Sequence, residues 1–276
     1  MKIHVFETGR LRNNQTFMRA QSWAGGLLRP RSDIEFPVYS FLVEHPEGLL
    51  AIDTGLGRRP HVPRWQRRFV PTVVSGPLTM DDAMRQRGLD PAGVSRVIVT
   101  HLDWDHAGGV DRFPGAEVLV HRAEYESAKS RRGAVRYETA AWPSGFSPTL
   151  YDLAPEAFGP FPASLTLTDR GDVRLVPLPG HTAGQVGVVV STGDATLLFS
   201  ADHVLRQDWF LEDHAAGRLL GLGIFHPALA RETSARIHRF VEDTHAVLLP
   251  SHDDEVPERL ATATSSVAVT GSRLGG

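Results

Sequence analysis

The sequence predicts an α/β chain folded as a four-layer αββα sandwich, and three features of it carry that expectation. Short β-rich runs recur in two successive halves, helical segments separate them, and several of the runs stop at a His or an Asp. Length alone permits one large domain or two small ones. No repeat, linker or low-complexity tract divides the chain, so residues 1–276 are read as one domain.

In the first half, FPVYSFLVEH (36–45) and LLAID (49–53) are β-rich and flank a Pro-Glu-Gly turn, which predicts a hairpin. Thr79 is placed to cap a helix over MDDAMRQR. Asp81 and Asp82 lie in its first turn, where the helix dipole favours negative charge, and Gly88 closes it. SRVIVT (95–100) reads as a buried strand that stops at His101. EVLVH (117–121) is another, leading into a short helix near AEYESAK.

Residues 129–163 break the pattern. A basic cluster (Lys129, Arg131, Arg132, Arg136) opens the stretch, and Trp142, Phe146, Phe158 and Phe161 follow among Pro and Gly. Long irregular segments inside a compact domain are usually functional or disordered. Interleaved aromatics predict an ordered loop covering a pocket, and the basic cluster reads as an exposed charged loop, with contact to an anionic substrate as the alternative. The second half returns to strands at VRLVPLPG (173–180), QVGVVV (185–190), TLLFSAD (196–202) and AVLLPSHD (246–253). One long helix, PALARETSARIHRFVED (227–243), starts at Pro227. The tail TGSRLGG reads as frayed.

The chain has no cysteine, which excludes disulfide scaffolds, thiolate metal sites and a cysteine nucleophile. A net charge of −3 leaves no whole-protein footprint for nucleic acid or an anionic membrane, so neither is an expected partner. MKIHVFETGR lacks the apolar core of a signal peptide, and no apolar run reaches the roughly 20 residues that span a bilayer. A cytoplasmic location is the default expectation.

The chemistry concentrates in VTHLDWDHAGG (99–109), where His101, Asp103, Asp105 and His106 fall within six positions directly after a strand. Residues two apart on an extended segment project to one face, and a turn at Asp105–His106 brings further donors to the same point. Imidazole and carboxylate suit zinc, iron or manganese without any thiolate. The Ala-Gly-Gly that follows lets backbone pack closely. Three more strand ends present ligand-type residues: His181 in LPGHTAGQ, Asp202 beside His203 in LLFSADH, and His252 in LLPSHDD. Strand ends are where a rigid scaffold presents site residues. The remaining histidines have no such context, although His214 and His226 flank a Gly-rich stretch (Gly217, Gly221, Gly223) that can border a pocket.

From the IDTG of 52–55 through HLDWDHAGG and GHTAGQ to Asp202 and the SHD of 251–253, the chain resembles the metallo-β-lactamase superfamily, and within it the acyl-homoserine-lactone lactonase-like branch. The resemblance implies a small-molecule substrate, leaves a homodimer open, and implies two divalent metal ions, zinc first with manganese or iron as alternatives. It assigns His101, Asp103 and His181 to the first metal, Asp105, His106 and His252 to the second, and Asp202 to the bridge. Asp53 is then either a brace for a ligand or a turn residue before Thr-Gly. The activity implied is hydrolysis of an ester-like bond, a lactone first, by a hydroxide shared between the metals, with Asp105 or Asp202 moving the proton.

Two departures from the branch stand out. The common motif has His where this chain has Asp103. If Asp103 binds the first metal directly, then with Asp105, Asp202 and a hydroxide about four negative charges meet two divalent cations, which favours harder metals; the alternative is that Asp103 stands behind the ligands and the first metal binds weakly. The lactonase-like branch also has a Tyr three residues after the bridging Asp, and here that residue is Leu205, which cannot polarise a carbonyl. Either His203 replaces it or nothing does. Trp104 is read as a pocket wall or as core. Phosphate-ester or thioester hydrolysis, an iron-pair oxidoreductase on the same fold, and a binding protein without turnover are the alternative functions.

Overall fold

A computed structural model describes residues 1–14, 32–64, 72–73, 78–211 and 226–263. Two sheets form its centre. The first has seven strands: β1 (Lys2–Asn14), β2 (Asp33–His45), β3 (Gly48–Ile52), β4 (Thr72–Val73), β5 (Val94–Val99), β6 (Glu117–His121) and β7 (Thr149–Tyr151), in the spatial order β4-β1-β2-β3-β5-β6-β7. The second has five: β8 (Leu165–Thr166), β9 (Val173–Pro177), β10 (Val186–Ser191), β11 (Thr196–Ala201) and β12 (Val247–Pro250), in the order β12-β11-β10-β9-β8. The hairpin expected at 36–53 is β2 and β3, paired antiparallel with Phe41 opposite Ile52. From β3 onward the first sheet continues parallel through β5, β6 and β7.

Alternation along the strands sorts the side chains into layers. On β2, Tyr39, Phe41 and Val43 face the second sheet and meet Leu175, Val188, Val190 and Phe199. Leu42 faces the other way, toward Met80 and Met84 of α1 (Met80–Gln86) and Ala128 of α2 (Arg122–Lys129). On β11, Leu197 and Phe199 point between the sheets. Leu198 points out to Ile237 and Phe240 of α5 (Pro227–Thr244), the long helix expected from the sequence. Period-two alternation with both faces apolar requires a helix layer on each outer side, and the four-layer αββα order follows. Between α2 and α5 lie α3 (Gly133–Tyr137) and α4 (Gln207–Leu211), and α6 (Val256–Ala263) packs Val256 and Leu260 against the core between the sheets.

Several expectations need correction. The stretch 129–163 holds α3 and β7, and of the aromatics singled out there Phe161 belongs to the core while Trp142, Phe146 and Phe158 are half-buried against it. Phe161 is fully buried beside Phe240, and Trp142 and Phe146 pack on the α1–α2 side. Thr79 does stand at the start of α1, but its hydroxyl donates to the Asp82 carboxylate at 2.9 Å and caps no backbone N–H. The basic cluster is not uniformly exposed: Lys129, Arg131 and Arg132 are, whereas Arg136 is only 4% exposed. β1 and α6 were not anticipated from the sequence. His214, the three glycines beside it and the TGSRLGG tail lie outside the described residues. Among the described residues no helix is long and apolar enough to cross a membrane.

The sheets meet at one end. Backbone hydrogen bonds run from Val186 N–H to Thr100 C=O (3.1 Å) and from Tyr39 N–H to Ser251 C=O (2.9 Å), joining the sheets where β5 and β12 finish. In mixed sheets a crevice beyond the carboxyl ends of strands is the usual place for a ligand.

Candidate metal centre

Five chain segments leave the carboxyl ends of strands and converge at this crevice. β3 leads to Asp53, β5 to His101, β9 to His181, β11 to Asp202 and β12 to His252. The seven residues singled out as ligands come together as overlapping groups: His101, Asp103 and His181; Asp105, His106 and His252; and His101, His106 and Asp202. Within each group one ligand atom per residue lies within 4.8 Å of the others. All seven are buried.

The backbone that aims them is constrained. After β5 the chain turns back, with His106 N–H (3.0 Å) and Ala107 N–H (2.9 Å) both donating to Asp103 C=O, so Asp103, Asp105 and His106 face one point. Thr54 holds that turn from the IDTG segment: its N–H and its hydroxyl both donate to His106 C=O, and the hydroxyl accepts from Gly109 N–H at 3.0 Å. Gly108 is required there, because a Cβ would strike the carbonyl oxygens of Trp104 and Gly55. On β11 the pairing with β12 slips between Phe199 and Ala201, and Ala201 takes φ +46°; this kink turns Asp202 inward.

Asp53 is a brace. Its Oδ1 accepts from Thr100 N–H (2.8 Å), and its Oδ2 accepts from the Thr100 hydroxyl (2.8 Å) and lies 2.8 Å from His106 Nδ1. It does this from φ +55°, a conformation that costs a non-glycine residue about 1–3 kcal/mol and is retained here beside the site. Two more rings are held through Nδ1. His252 Nδ1 donates to Pro37 C=O at 2.7 Å, and His101 Nδ1 lies 3.0 Å from the Thr100 hydroxyl. Each Nδ1 contact leaves Nε2 aimed inward, the orientation metal-ligating imidazoles take. Asp53→Asn keeps the shape and weakens the grip on His106. Metal affinity is expected to fall about 10–100-fold, measured by competition with a chromophoric chelator.

A second brace, Glu124, had no signal in the sequence. Its buried carboxylate accepts from Leu102 N–H (3.1 Å), Gly184 N–H (3.0 Å), the Thr182 hydroxyl (2.6 Å) and the Tyr137 hydroxyl (2.8 Å). It thereby ties the His101 loop and the His181 loop to α2 and α3. Gly184 has no room for a Cβ against the Glu124 backbone.

The donor set asks for a cation. His101 Nε2, His106 Nε2 and Asp202 Oδ1 are buried with no hydrogen-bond partner, although Asp202 Oδ1 lies only 2.8 Å from His106 Nε2 and 3.0 Å from His252 Nε2. Such atoms sit close without donor–acceptor alignment, and buried groups of this kind are costly unless an ion satisfies them. Charge reflects the same crowding. Burial pushes the Asp105 carboxyl up, and neighbouring Asp202 adds to this against the pull of His106 and His252. Burial alone would lower His106, but the Asp202 and Asp53 carboxylates hold it well above the ordinary imidazole range.

Asp103 differs from the other carboxylates. Arg136 Nε donates to its Oδ1 at 3.0 Å, Nη2 donates to its Oδ2, and the same Nη2 lies 3.1 Å from His181 Nε2. Burial would raise the Asp103 carboxyl, yet Arg136 keeps it well below the usual carboxylate range.

Around the second group the wall is apolar. Leu205 is buried with Leu11, Phe36, Val38, Leu56 and Trp209, Trp104 packs against them, and Phe36 meets the His252 ring edge-on at 5.2 Å. His203 turns away from the crevice: its Nε2 lies 3.1 Å from the Ser234 hydroxyl on α5, and burial brings it down to about 3, a neutral structural histidine.

Known proteins resemble this chain in sequence and in fold. A probable metallo-hydrolase of Mycobacterium tuberculosis is 33% identical over 172 residues, covering 58% of this chain and 54% of that protein, so the match spans about half of the relative's length. An N-acyl homoserine lactonase of Bacillus thuringiensis is 25% identical over 264 residues, covering 92% of this chain and 94% of the lactonase. Among solved structures, an N-acyl homoserine lactone hydrolase with N-hexanoyl-L-homoserine at its metal centre superposes with a TM-score of 0.71 at 20% identity, over 93% of this chain and 94% of that one. A family model described as the metallo-beta-lactamase superfamily matches residues 33–252, a span that takes in all seven converging residues, and the chain belongs to that superfamily.

Proposed function

We propose that the chain is a metal-dependent hydrolase of an ester-like bond, with a lactone as its leading substrate, and that it works as one domain over 1–276. The observation that carries this reading is the set of partnerless buried atoms, His101 Nε2, His106 Nε2 and Asp202 Oδ1, at the common end of the strands. A divalent cation bound there supplies what the side chains lack, bringing the pKa of bound water toward about 7 and polarising a carbonyl oxygen. Zinc suits the imidazole-rich set, and manganese or iron suits its carboxylates.

Asp105, His106, His252 and Asp202 are the proposed principal ligands, with Asp53 and Pro37 C=O fixing the two imidazoles. Asp105 and Asp202 are the proposed catalytic carboxylates, able to hold the proton that leaves the attacking water. The two-metal form of the reading adds an ion among His101, Asp103 and His181, where Arg136 already contacts two of the three. Substrate is oriented by apolar contact: Leu205, Phe36 and Trp104 border the second group, and no phenol stands at position 205. The near full-length similarity to N-acyl homoserine lactonases supports the lactone.

The test is proton release by metal-loaded protein given a long-chain N-acyl homoserine lactone, an aryl ester and a phosphotriester in parallel. Release with the lactone above the other two is expected. No release from lactone by protein shown to hold its metal sinks the lactone assignment, and activity confined to the phosphotriester would move the reading to phosphate esters.

A further inference from the structure

Arg136 lies on α3, far in sequence from any motif, yet its guanidinium reaches the centre. It forms a two-point pair with Asp103, its Nη2 stands 3.1 Å from His181 Nε2, and its Nη1 lies 3.4 Å from His181 C=O. Both oxygens of Asp103 are therefore engaged by one cation, in the geometry that guanidinium and carboxylate favour. Of the first group, His101 Nε2 alone is left without a partner. In the second group and its bridge, by contrast, His106 Nε2 and Asp202 Oδ1 are both orphaned.

The arm that carries Arg136 is fixed in place. The neighbouring Tyr137 hydroxyl donates to buried Glu124, and Gly133, at the start of α3, packs so tightly on Ser127 and Ala128 of α2 that a Cβ does not fit. Arg136 itself is buried, so withdrawing it strands a charged Asp103 out of water.

We infer that Arg136 is a built-in cation standing where the family's first metal would bind, so that this chain holds one metal, at Asp105, His106, His252 and Asp202, with His101 Nε2 in reach of it beside His106 and Asp202. The inference rests on the metal-hydrolase reading and sharpens it. Asp103 is then the partner of Arg136 and ligates no ion, which also accounts for an Asp at a position where the common motif has a His.

The test is the metal content of chelator-stripped protein reloaded with zinc and desalted, measured by elemental analysis. Wild-type protein is expected to hold one zinc per chain, Arg136→Lys one, and Arg136→Met two. Circular dichroism checks that each variant is folded. Asp103→Asn gives an independent reading if Arg136→Met does not fold: it is expected to keep one zinc with affinity within a few-fold of wild type. Two zinc ions in wild type, one in folded Arg136→Met, or loss of the zinc in folded Asp103→Asn would each overturn the inference and leave the hydrolase reading standing. No zinc in wild type would remove both.

Discussion

His106→Ala is expected to abolish both metal binding and turnover. His106 is the residue most fully committed to the centre: its Nδ1 is held by Asp53, its Nε2 faces Asp202, and its carbonyl is clamped twice by Thr54. Removing the imidazole deletes a proposed ligand and leaves Asp53 and Asp202 buried with one partner fewer. Without the cation, water reverts toward its free pKa of about 15.7 from about 7, so hydroxide at neutral pH all but disappears. A loss on the order of 10³-fold or more in kcat/KM follows, read from proton release alongside metal content. A variant that keeps its metal and most of its rate would remove His106 from the ligand set.

Glu124→Ala should cost the most stability. One buried carboxylate serves four donors, two of them backbone N–H groups on the loops that carry His101 and His181. Each donor stranded in the interior costs about 1–3 kcal/mol, and some regain water through relaxation, so a loss of about 4 kcal/mol is expected. Urea unfolding measures it as a fall in midpoint. Glu124→Gln separates packing from charge: it fills the same space but offers one acceptor oxygen, and a smaller loss is expected. Metal binding at the second group should survive in Glu124→Gln better than in Asp53→Asn, because Glu124 touches the His101 and His181 loops and not His106.

Sequence and structure agree on which ligand-type residues converge. HLDWDHAGG, the strand-end histidines and Asp202 were legible because metal chemistry admits few residue types, and β-strands present them at recognisable ends. The layer order was legible from two successive strand-rich halves with helical segments between them. Asp53 was half legible: the IDTG segment marks it, but only the fold shows its carboxylate spanning from Thr100 to His106. Glu124 and Arg136 were not legible. Both occupy ordinary helical sequence, and their roles arise from tertiary contacts with loops more than 20 residues away, which no local pattern records. Nothing in the sequence separates Arg136 from the three exposed basic residues before it, since a charge run on its own is indistinguishable from a solvated face. The aromatics of 129–163 misled for a related reason. Phe161 and Trp142 have the composition of a pocket cover, and it is packing on Phe240 that buries Phe161 and packing on Tyr125 that half-buries Trp142.

The most direct test of the account is a metal titration of chelator-stripped protein, with proton release from a long-chain N-acyl homoserine lactone followed at each step. The account expects no release without metal, a linear rise with zinc or manganese added, saturation at one ion per chain, and no response from His106→Ala. Undiminished release from stripped protein, or silence from protein carrying its full complement of metal, would contradict it.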